Sequence, residues 1–339
     1  MKLLTCVVPC YNSAAYMHKA VDTLLTGGEE MDILIVDDGS MDDTGRIADE
    51  YAAAHPGVVR VIHQANAGHG AGLNQGIRTA EGLYFKVVDS DDRVDPEALK
   101  KLLDVLRSHS RREDQVDLVV HDYVYDRGEM ENVFSVSFSR VMRGGQVKTW
   151  SDCRHFPATK QFMIHCIVYR VQLLRDHRYE LPEHVFFEDN LYIYQPLPWT
   201  KTLAYCPAAV YGYNIGREGQ SVSEENILRR LDQLGRMITR MATSYHLSEI
   251  EALPKPLGDY MISNVAAQVL CLNSLQFIQD TPASLAAYEK FWADVKAFDE
   301  ALYHRLWTCP AGFATHLPGK IGRRLLVGGY RLAHRVMKF

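Results

Sequence analysis

Three features that would narrow the class of this protein at once are missing from its sequence. The seven cysteines stand singly, with no Cys-x-x-Cys pair and no disulfide-like density, which excludes a zinc ribbon or a disulfide scaffold and favours reduced thiols in a cytosolic protein. No uninterrupted run of about 18 apolar residues exists, so no bilayer-spanning helix is predicted, and the apolar run before Pro9 is too short for a signal-peptide core. Basic residues are not in excess, and the net charge of −5 argues against a general nucleic-acid-binding protein.

The composition that remains is that of a soluble globular protein. The 339 residues are 47% apolar and 23% charged, which allows one large domain or two with a sizeable core. The charge is uneven, because six of the 37 basic residues and none of the 42 acidic residues lie in 320–339. Residues 1–319 therefore carry a net charge of −11.

The first 110 residues have the pattern of four strand–helix units. Apolar runs that predict buried strands lie at 3–8, 33–36, 58–62 and 84–88. Alternation of strands and helices favours an α/β fold with a mostly parallel sheet and helices on both faces. Ligands bind such sheets outside the carboxyl ends of the strands, so we expect the loops at 9–12, 37–38, 66–68 and 89–91 to meet in one crevice.

The remainder of the chain is less regular and then becomes helical. Further strands are predicted at 117–122, 133–138, 161–169, 202–206 and 210–213. Helices are predicted at 227–244, 257–279 and 283–304, separated by prolines.

Three carboxylates end the predicted strand at 84–88. Asp89, Asp91 and Asp92 are crowded at the end of a buried segment, where they repel one another. A divalent cation among them would relieve this repulsion, because hard cations take oxygen ligands. The alternative is a solvated acidic turn that caps the next helix.

Two further motifs follow predicted strands. Asp37 and Asp38 could accept from a base N–H or a ribose hydroxyl, or could instead cap the following helix. The glycine-rich segment 66–76 offers bare backbone N–H groups to a phosphate at a helix start, or else makes a tight turn with close helix packing. It matches neither the dinucleotide fingerprint nor a P-loop. His69 within it is a candidate diphosphate contact.

The second half of the chain supplies a candidate base and a candidate loop. Glu188 and Asp189 follow two phenylalanines. An acid beside apolar groups can have a raised pKa and act as a general base. The alternative is a pair of acids that the helix dipole favours at a helix N-terminus. The polar loop at 217–223 could fold over a diphosphate with Arg217 as counter-charge, or could be an ordinary surface loop.

Taken together, these motifs resemble the family 2 glycosyltransferases, which have the GT-A fold. The matching segments, in family order, are 8–12, 35–44, 66–70 with 73–77, 89–92 as the DxD element, and 187–189. The resemblance covers about residues 1–220. It implies a GT-A domain over 1–222, with a nucleotide-binding half (1–110) and an acceptor and catalytic half (111–222). A helical region (223–310) and a basic amphipathic tail (318–339) follow.

The resemblance also implies substrates, a cofactor and roles for individual residues. The donor would be a nucleotide-diphosphate sugar, foremost a UDP-sugar, the cofactor Mn²⁺ or Mg²⁺, and the acceptor a carbohydrate or lipid-linked hydroxyl, as in surface polysaccharide or glycolipid synthesis. Transfer would invert the anomeric carbon. The residues assigned in this way are Asp189 as base; Asp91 for the metal; Pro9, Tyr11, Asn12, Asp38, Gly68, His69, Asn74 and Asp89 for the nucleotide; Arg217, Ser221 and Ser223 for a diphosphate loop; and Asp37, Asp92 and Glu188 as supporting acids.

Two other functions are compatible with parts of the pattern. A sugar-phosphate nucleotidyltransferase also uses an α/β nucleotide site with paired acids, but would carry a Gly-rich basic signature directly after the first strand, where this chain has 9–12. A non-catalytic nucleotide-sugar-binding protein is the second alternative, although the acids Asp89, Asp91 and Asp189 are all present.

The tail predicts an amphipathic helix. Its apolar face holds Ile321, Leu325, Leu332, Val336 and Phe339, and its basic face holds Arg324, Arg331, Arg335 and Lys338. Such a helix can lie on an anionic membrane, which would make the protein peripheral on the inner face of the plasma membrane. The alternative is a helix docked on the acidic body, and Gly328-Gly329 weakens its helicity in isolation.

Overall fold

The computed structural model describes residues 1–126, 132–142, 149–157, 160–215, 223–317 and 319–337. The chain divides into two compact units, one formed by 1–154 with 162–216 and the other by 155–161 with 217–339.

The first part of unit 1 alternates strands and helices. Its elements are β1 (Leu4–Cys10), α1 (Met17–Leu25), β2 (Met31–Asp37), α2 (Thr44–Ala54), β3 (Val59–His63), α3 (His69–Thr79), β4 (Tyr84–Val87), β5 (Arg93–Val94) and α4 (Pro96–Ser108). The strands β1, β2 and β4 are buried nearly throughout, as expected of apolar strands covered on both faces. Helix α4 begins at Pro96, because Asp95 accepts a hydrogen bond from Ala98 N (2.8 Å) and Pro96 takes the first helical position.

The second part of unit 1 completes one sheet. Its elements are β6 (Leu118–Asp126), β7 (Asn132–Val136), β8 (Ile167–Arg170), α5 (Val171–Asp176), α6 (Asp189–Tyr194) and β9 (Leu203–Asn214). The strand order is β3-β2-β1-β4-β8-β6-β9-β5, with β7 paired to β6. The neighbours β3, β2, β1 and β4 are mutually parallel, whereas β8 is antiparallel to both β4 and β6. The sheet is therefore parallel across β3, β2, β1 and β4, as predicted, and mixed beyond them.

Two strand predictions in this part are wrong in detail. The strand predicted at 161–169 begins only at Ile167, because Ile164–Cys166 forms a 3₁₀ turn. The strand pair predicted at 202–206 and 210–213 is one continuous strand, β9. Pro207 falls where the β6–β9 register shifts between Cys206 and Ala209, so it occupies a bulge and interrupts no ladder hydrogen bond.

Unit 2 is helical. Its helices are α7 (Glu224–Arg229), α8 (Leu231–Ala242), α9 (Leu247–Glu251), α10 (Lys255–Gln279), α11 (Pro282–Phe298), α12 (Glu300–Thr308), α13 (Pro310–Thr315) and α14 (Gly319–Met337). The helix predicted at 283–304 is interrupted at Asp299, whose extended backbone lets one carboxylate oxygen cap α12 through Leu302 N (3.0 Å) while the other accepts from Leu247 N (2.8 Å). The helix predicted at 227–244 is likewise divided, at Arg230.

The sequence analysis predicted no bilayer-spanning helix, but α10 meets the length and composition of one. By length and composition alone it could cross a bilayer, with a mean hydropathy of 1.3 over its most apolar window. Uncharged polar residues interrupt the apolar runs of α10, which is why a search for an unbroken run did not find it. In the protein, 67% of that window is buried, as in the central helix of a globular core.

Candidate active site at the carboxyl edge of the sheet

The loops that follow the parallel strands are hydrogen-bonded to one another. The loop after β1 joins the loop after β2, because Asn12 N donates to Ser40 Oγ (3.0 Å) and Asn12 Oδ1 accepts from Met41 N (2.9 Å). The loop after β1 also joins the loop after β4, through the buried hydroxyls of Ser13 and Ser90 (3.0 Å apart). Residues far apart in the sequence thus form one edge.

The turn after β1 exposes an aromatic ring beside this edge. The Tyr11 side chain is 47% exposed, and Asn12 adopts a left-handed backbone conformation with φ of 50°. Pro9 is half-buried near the end of β1, and a Cβ on Gly72 of α3 would lie 3.3 Å from its ring. An exposed aromatic ring next to a tight turn suits stacking on a nucleobase. That role for Pro9, Tyr11 and Asn12 stays a prediction.

Asp38 ties the end of β2 to the loop before α3. Its Oδ1 accepts from Gln64 Nε2 (2.6 Å) and Ala67 N (2.9 Å), and its Oδ2 accepts from Gly68 N (2.8 Å). The neighbouring Asp37 accepts from Ser40 N (3.0 Å). Both oxygens of Asp38 therefore already hold the glycine-rich loop in place, and contact of Asp38 with a nucleoside stays a prediction.

The electrostatic state of Asp37 is set by its partners. Its Oδ2 lies 2.9 Å from His63 Nδ1. Burial alone would raise the pKa of Asp37, but the hydrogen bonds from Ser40 and His63 outweigh burial and lower it. Asp37 is therefore a charged structural acid under this edge.

The glycines of α3 allow another segment to approach closely. Gly68 has a φ of 90°, which glycine adopts without strain, and a Cβ on Gly70 would lie 2.5 Å from Pro182 O. The Asn74 amide exchanges two hydrogen bonds with the backbone of Leu181, both 2.9 Å long. These contacts pack the segment before Glu188 closely against α3. Close helix packing was one of the two interpretations of the glycine-rich segment in the sequence analysis. Binding of a nucleotide by Gly68 and Asn74 stays a prediction.

His69 joins two acids from distant parts of the sequence. Its Nδ1 donates to Glu188 Oε1 (2.6 Å), and its Nε2 donates to Asp89 Oδ1 (3.2 Å). Burial lowers the pKa of His69, but the bonds to Asp89 and Glu188 raise it well above its usual value. The same interactions lower the pKa of Asp89 against the effect of burial. A charged His69 therefore clamps the segment 187–189 to the end of β4.

Asp189 is an acid of this region whose pKa lies near neutrality. It is half-buried at the first position of α6, and Asn190 Nδ2 donates to its Oδ1 (3.2 Å). Burial and the adjacent charge of Glu188 raise the pKa of Asp189 to about 7. An acid with such a pKa can accept a proton at physiological pH.

The acids after β4 repel one another as their spacing predicts. Asp92 is buried, whereas Asp89 and Asp91 are half-buried. Burial, with the charges of Asp89 and Asp91, raises the pKa of Asp92 well above its usual value. Tyr211 Oη donates to Asp92 Oδ2 (2.6 Å), and Asn214 N donates to Asp92 Oδ1 (2.8 Å). Strand β9 thus fixes the Asp92 side chain through two hydrogen bonds. Asp92 in turn supports the loop that carries Asp91.

A fully buried lysine lies beneath these acids, and the sequence analysis did not find it. Lys86 Nζ donates to His165 O (2.5 Å) and to His121 Nε2 (2.8 Å), and stands 5.1 Å from the centre of the Tyr211 ring. The same Tyr211 hydroxyl accepts from Asp89 N (3.1 Å). Burial lowers the pKa of Lys86 to about 8. The sequence did contain a signal for this group, namely a lysine inside an apolar run that predicts a buried strand. A buried charge of this kind needs polar partners.

The predicted diphosphate loop is only partly described. Arg217 and Ser221 lie outside the described residues. Ser223 caps α7, where its Oγ accepts from Asn226 N (3.3 Å). Within the described ranges, no group of three or more His, Cys, Asp or Glu side chains converges as a metal-binding set.

Comparison with known proteins identifies the family. Residues 5–168 match the model of glycosyl transferase family 2. Chondroitin synthase of Escherichia coli is 39% identical over 106 residues, which are 31% of this chain and 15% of that protein. The chain spans between 15% and 60% of the length of four curated relatives that it matches.

Solved structures show the same fold over nearly the whole chain. TarS 1–349 of S. aureus in complex with UDP-GlcNAc has a TM-score of 0.68 at 19% identity, covering 98% of this chain and 92% of that one. The mannosyltransferase PcManGT of Pyrobaculum calidifontis, in complex with GDP-Man and Mn²⁺, has a TM-score of 0.57 at 18% identity, covering 98% and 86%. Residues 5–168 therefore belong to glycosyl transferase family 2, and the chain has the GT-A fold.

Proposed function

We propose that the protein transfers a sugar from a nucleotide-diphosphate sugar to an acceptor hydroxyl with inversion of the anomeric carbon, and that Asp189 is the general base. The observation that carries this proposal is the position of Asp189 at the start of α6, next to Glu188, which His69 joins to the strand-end acid Asp89. Burial and the charge of Glu188 raise the pKa of Asp189 to about 7. A base is most effective when its pKa lies near the working pH, because it is then both deprotonated and basic enough.

The clamp formed by His69 gives this base a defined position. Glu188 is buried and bonded to His69, so its neighbour Asp189 at the start of α6 is fixed relative to the end of β4. Asp189 takes the proton of the acceptor hydroxyl as that oxygen attacks the anomeric carbon. The attack comes from the face opposite the leaving diphosphate, which inverts the carbon.

We assign a divalent cation, Mn²⁺ or Mg²⁺, to Asp91. Burial, together with the charges of Asp89 and Asp91, raises the pKa of Asp92. A cation would relieve the repulsion among these three acids. Magnesium is commonly held by one or two carboxylates with substrate phosphates as further ligands, so a single protein carboxylate fits this donor set. When bound, the cation would neutralise charge that develops on the leaving diphosphate.

The substrate class is supported by the relatives. TarS binds UDP-GlcNAc and PcManGT binds GDP-Man, which supports a nucleotide-diphosphate sugar as donor, and we propose a UDP-sugar. The E. coli relative is named for synthesis of a polysaccharide, which favours a carbohydrate or lipid-linked acceptor in surface polysaccharide or glycolipid assembly.

The decisive experiment compares Asp189→Asn with Glu183→Gln, a control that neutralises an exposed acid on the same segment. With a panel of UDP- and GDP-sugars and Mn²⁺, Asp189→Asn should lower transfer by at least about 100-fold, the usual worth of a general base, while donor affinity stays within about threefold. The control should match the native chain in both measurements. Undiminished turnover in Asp189→Asn removes Asp189 from the mechanism, and release of pyrophosphate from a nucleoside triphosphate would favour a nucleotidyltransferase instead.

A further inference from the structure

Helix α14 has an extreme charge composition. Over its 19 residues it carries five basic side chains and no acid, and the basic residues are Lys320, Arg323, Arg324, Arg331 and Arg335. The remainder of the protein is acidic, so this helix is the part of the chain suited to an anionic surface.

One face of α14 attaches the helix to the rest of unit 2. Leu326 is buried, and a Cβ on Gly322 would clash with the backbone of Leu317. Arg323 lies 5.1 Å from the centre of the Phe277 ring and 3.8 Å from Asp280 Oδ1. The helix is therefore anchored through this side, and its orientation on unit 2 is fixed.

The apolar stripe predicted from the sequence lies on a different face and is open to solvent. Ile321, Leu325 and Leu332 are 74%, 64% and 63% exposed. At 100° per residue these positions, together with Gly328, fall within an arc of about 60°. Of the eight large apolar side chains that are exposed in the described part of the chain, four lie between 313 and 332. A concentration of this kind marks a binding surface.

Cationic side chains run along one edge of this stripe. Arg324 and Arg331 are exposed, and neither forms an ion pair with an acid among the described residues. Their guanidinium groups are therefore available to phosphate groups of a partner, for which arginine is well suited.

We propose that α14 docks unit 2 on an anionic lipid bilayer, with the stripe of Ile321, Leu325 and Leu332 in the interfacial region and with Arg324 and Arg331 against the headgroup phosphates. The exposure of the stripe argues against the alternative of a helix that buries this face on the acidic body. A second copy of the chain is disfavoured as the occupant, because a two-fold contact would place two helices of the same positive charge together. The docking face is independent of the chemistry proposed for unit 1.

Vesicle flotation of the full chain tests this proposal. Two vesicle types are used, phosphatidylcholine alone and phosphatidylcholine mixed with phosphatidylglycerol. The native chain should float with the mixed vesicles and remain below with the neutral ones. Because an arginine near an anionic surface contributes about fivefold to binding, Arg324→Glu with Arg331→Glu should weaken binding by at least about 25-fold. The pair Ile321→Ser and Leu325→Ser should lower it by at least about tenfold.

Two further variants make the test sharper. Lys19→Glu with Lys101→Glu makes the same charge change at exposed sites outside α14, and should bind as the native chain does. Gly328→Leu adds an apolar side chain to the stripe at a position where a Cβ meets open space, and should strengthen binding. All these positions are exposed, so none of the variants should lower the thermal unfolding midpoint.

Three results would overturn the proposal. One is a native chain that does not float with anionic vesicles. Another is equal binding by the stripe variant and the native chain. The third is a change from dimer to monomer in light scattering for Ile321→Ser with Leu325→Ser, without any vesicle binding, which would assign the stripe to self-association.

Discussion

The raised pKa of Asp189 determines how sugar transfer should depend on pH. Burial and the charge of Glu188 bring this pKa to about 7. Because the base acts only when deprotonated, kcat/KM should rise with pH through 7. Between pH 6 and pH 8 the deprotonated fraction increases from about 9% to about 91%, which predicts about a tenfold increase in kcat/KM.

The substitution Glu188→Gln tests the cause of this pKa. It removes the negative charge next to Asp189 and retains a side-chain oxygen that can accept from His69 Nδ1, now 2.6 Å from Glu188 Oε1. Without this repulsion the pKa of Asp189 should fall, so the acidic limb of the profile should move to lower pH. A fall of one unit would reduce the increase between pH 6 and pH 8 to about twofold.

The assay measures release of the nucleoside diphosphate at several pH values, with donor below its KM so that the free enzyme is observed. Glu183→Gln, which removes an exposed charge five residues away, should keep the native profile. A native profile that is flat from pH 6 to pH 8 would refute the assignment of Asp189. A limb that stays in place or moves to higher pH in Glu188→Gln would refute the electrostatic reasoning.

Three other predictions concern the support of the site. Lys86→Met should lower the free energy of unfolding by at least about 2 kcal/mol, because buried His121 Nε2 and His165 O lose their donor; an unchanged urea midpoint would contradict this. Tyr211→Phe should cost about 1–3 kcal/mol, because the buried Asp92 Oδ2 loses its hydroxyl donor, and the same urea titration measures it. Chelation by EDTA should abolish transfer, and added Mn²⁺ or Mg²⁺ should restore it; full activity in EDTA would exclude the cation assigned to the strand-end acids.

Sequence reasoning was most accurate where the signals are local. The start of α4 follows from Asp95-Pro96, because the capping carboxylate and the proline both act within one turn. The strands β1, β2 and β4 follow from apolar runs that need burial on both faces. Their parallel pairing follows from the helices that connect them, and this places the acid-bearing loops on one edge.

The features that the sequence analysis did not find depend on partners far along the chain. The role of Asn74 as a nucleotide ligand stays a prediction, and the sequence did not indicate that its amide meets the backbone of Leu181, 107 positions away. The role of His69 as a diphosphate contact also stays a prediction, and the sequence did not indicate that His69 bridges Asp89 and Glu188, the latter 119 positions away. No local pattern encodes such pairs, because they arise only when the loop after β3 and the segment before α6 pack together.

Asp38 holds a loop through its hydrogen bonds, whereas we propose that Asp189 acts on substrate, and stability measurements can test that distinction. Asp38→Asn should lower the unfolding midpoint, because an amide cannot accept all three hydrogen bonds that reach the carboxylate from Gln64, Ala67 and Gly68, and one buried donor lost costs about 1–3 kcal/mol.

Asp189→Asn, in contrast, should not lower the unfolding midpoint at pH 8. A carboxyl whose folded pKa is raised favours the folded state only while it is protonated, and that contribution is lost as pH rises through about 7. At pH 8 the native chain therefore carries an unfavourable charge that the amide removes, so Asp189→Asn should melt at the same or a higher temperature while its transfer activity is lost. A lower midpoint for Asp189→Asn at pH 8 would place Asp189 among the structural acids instead.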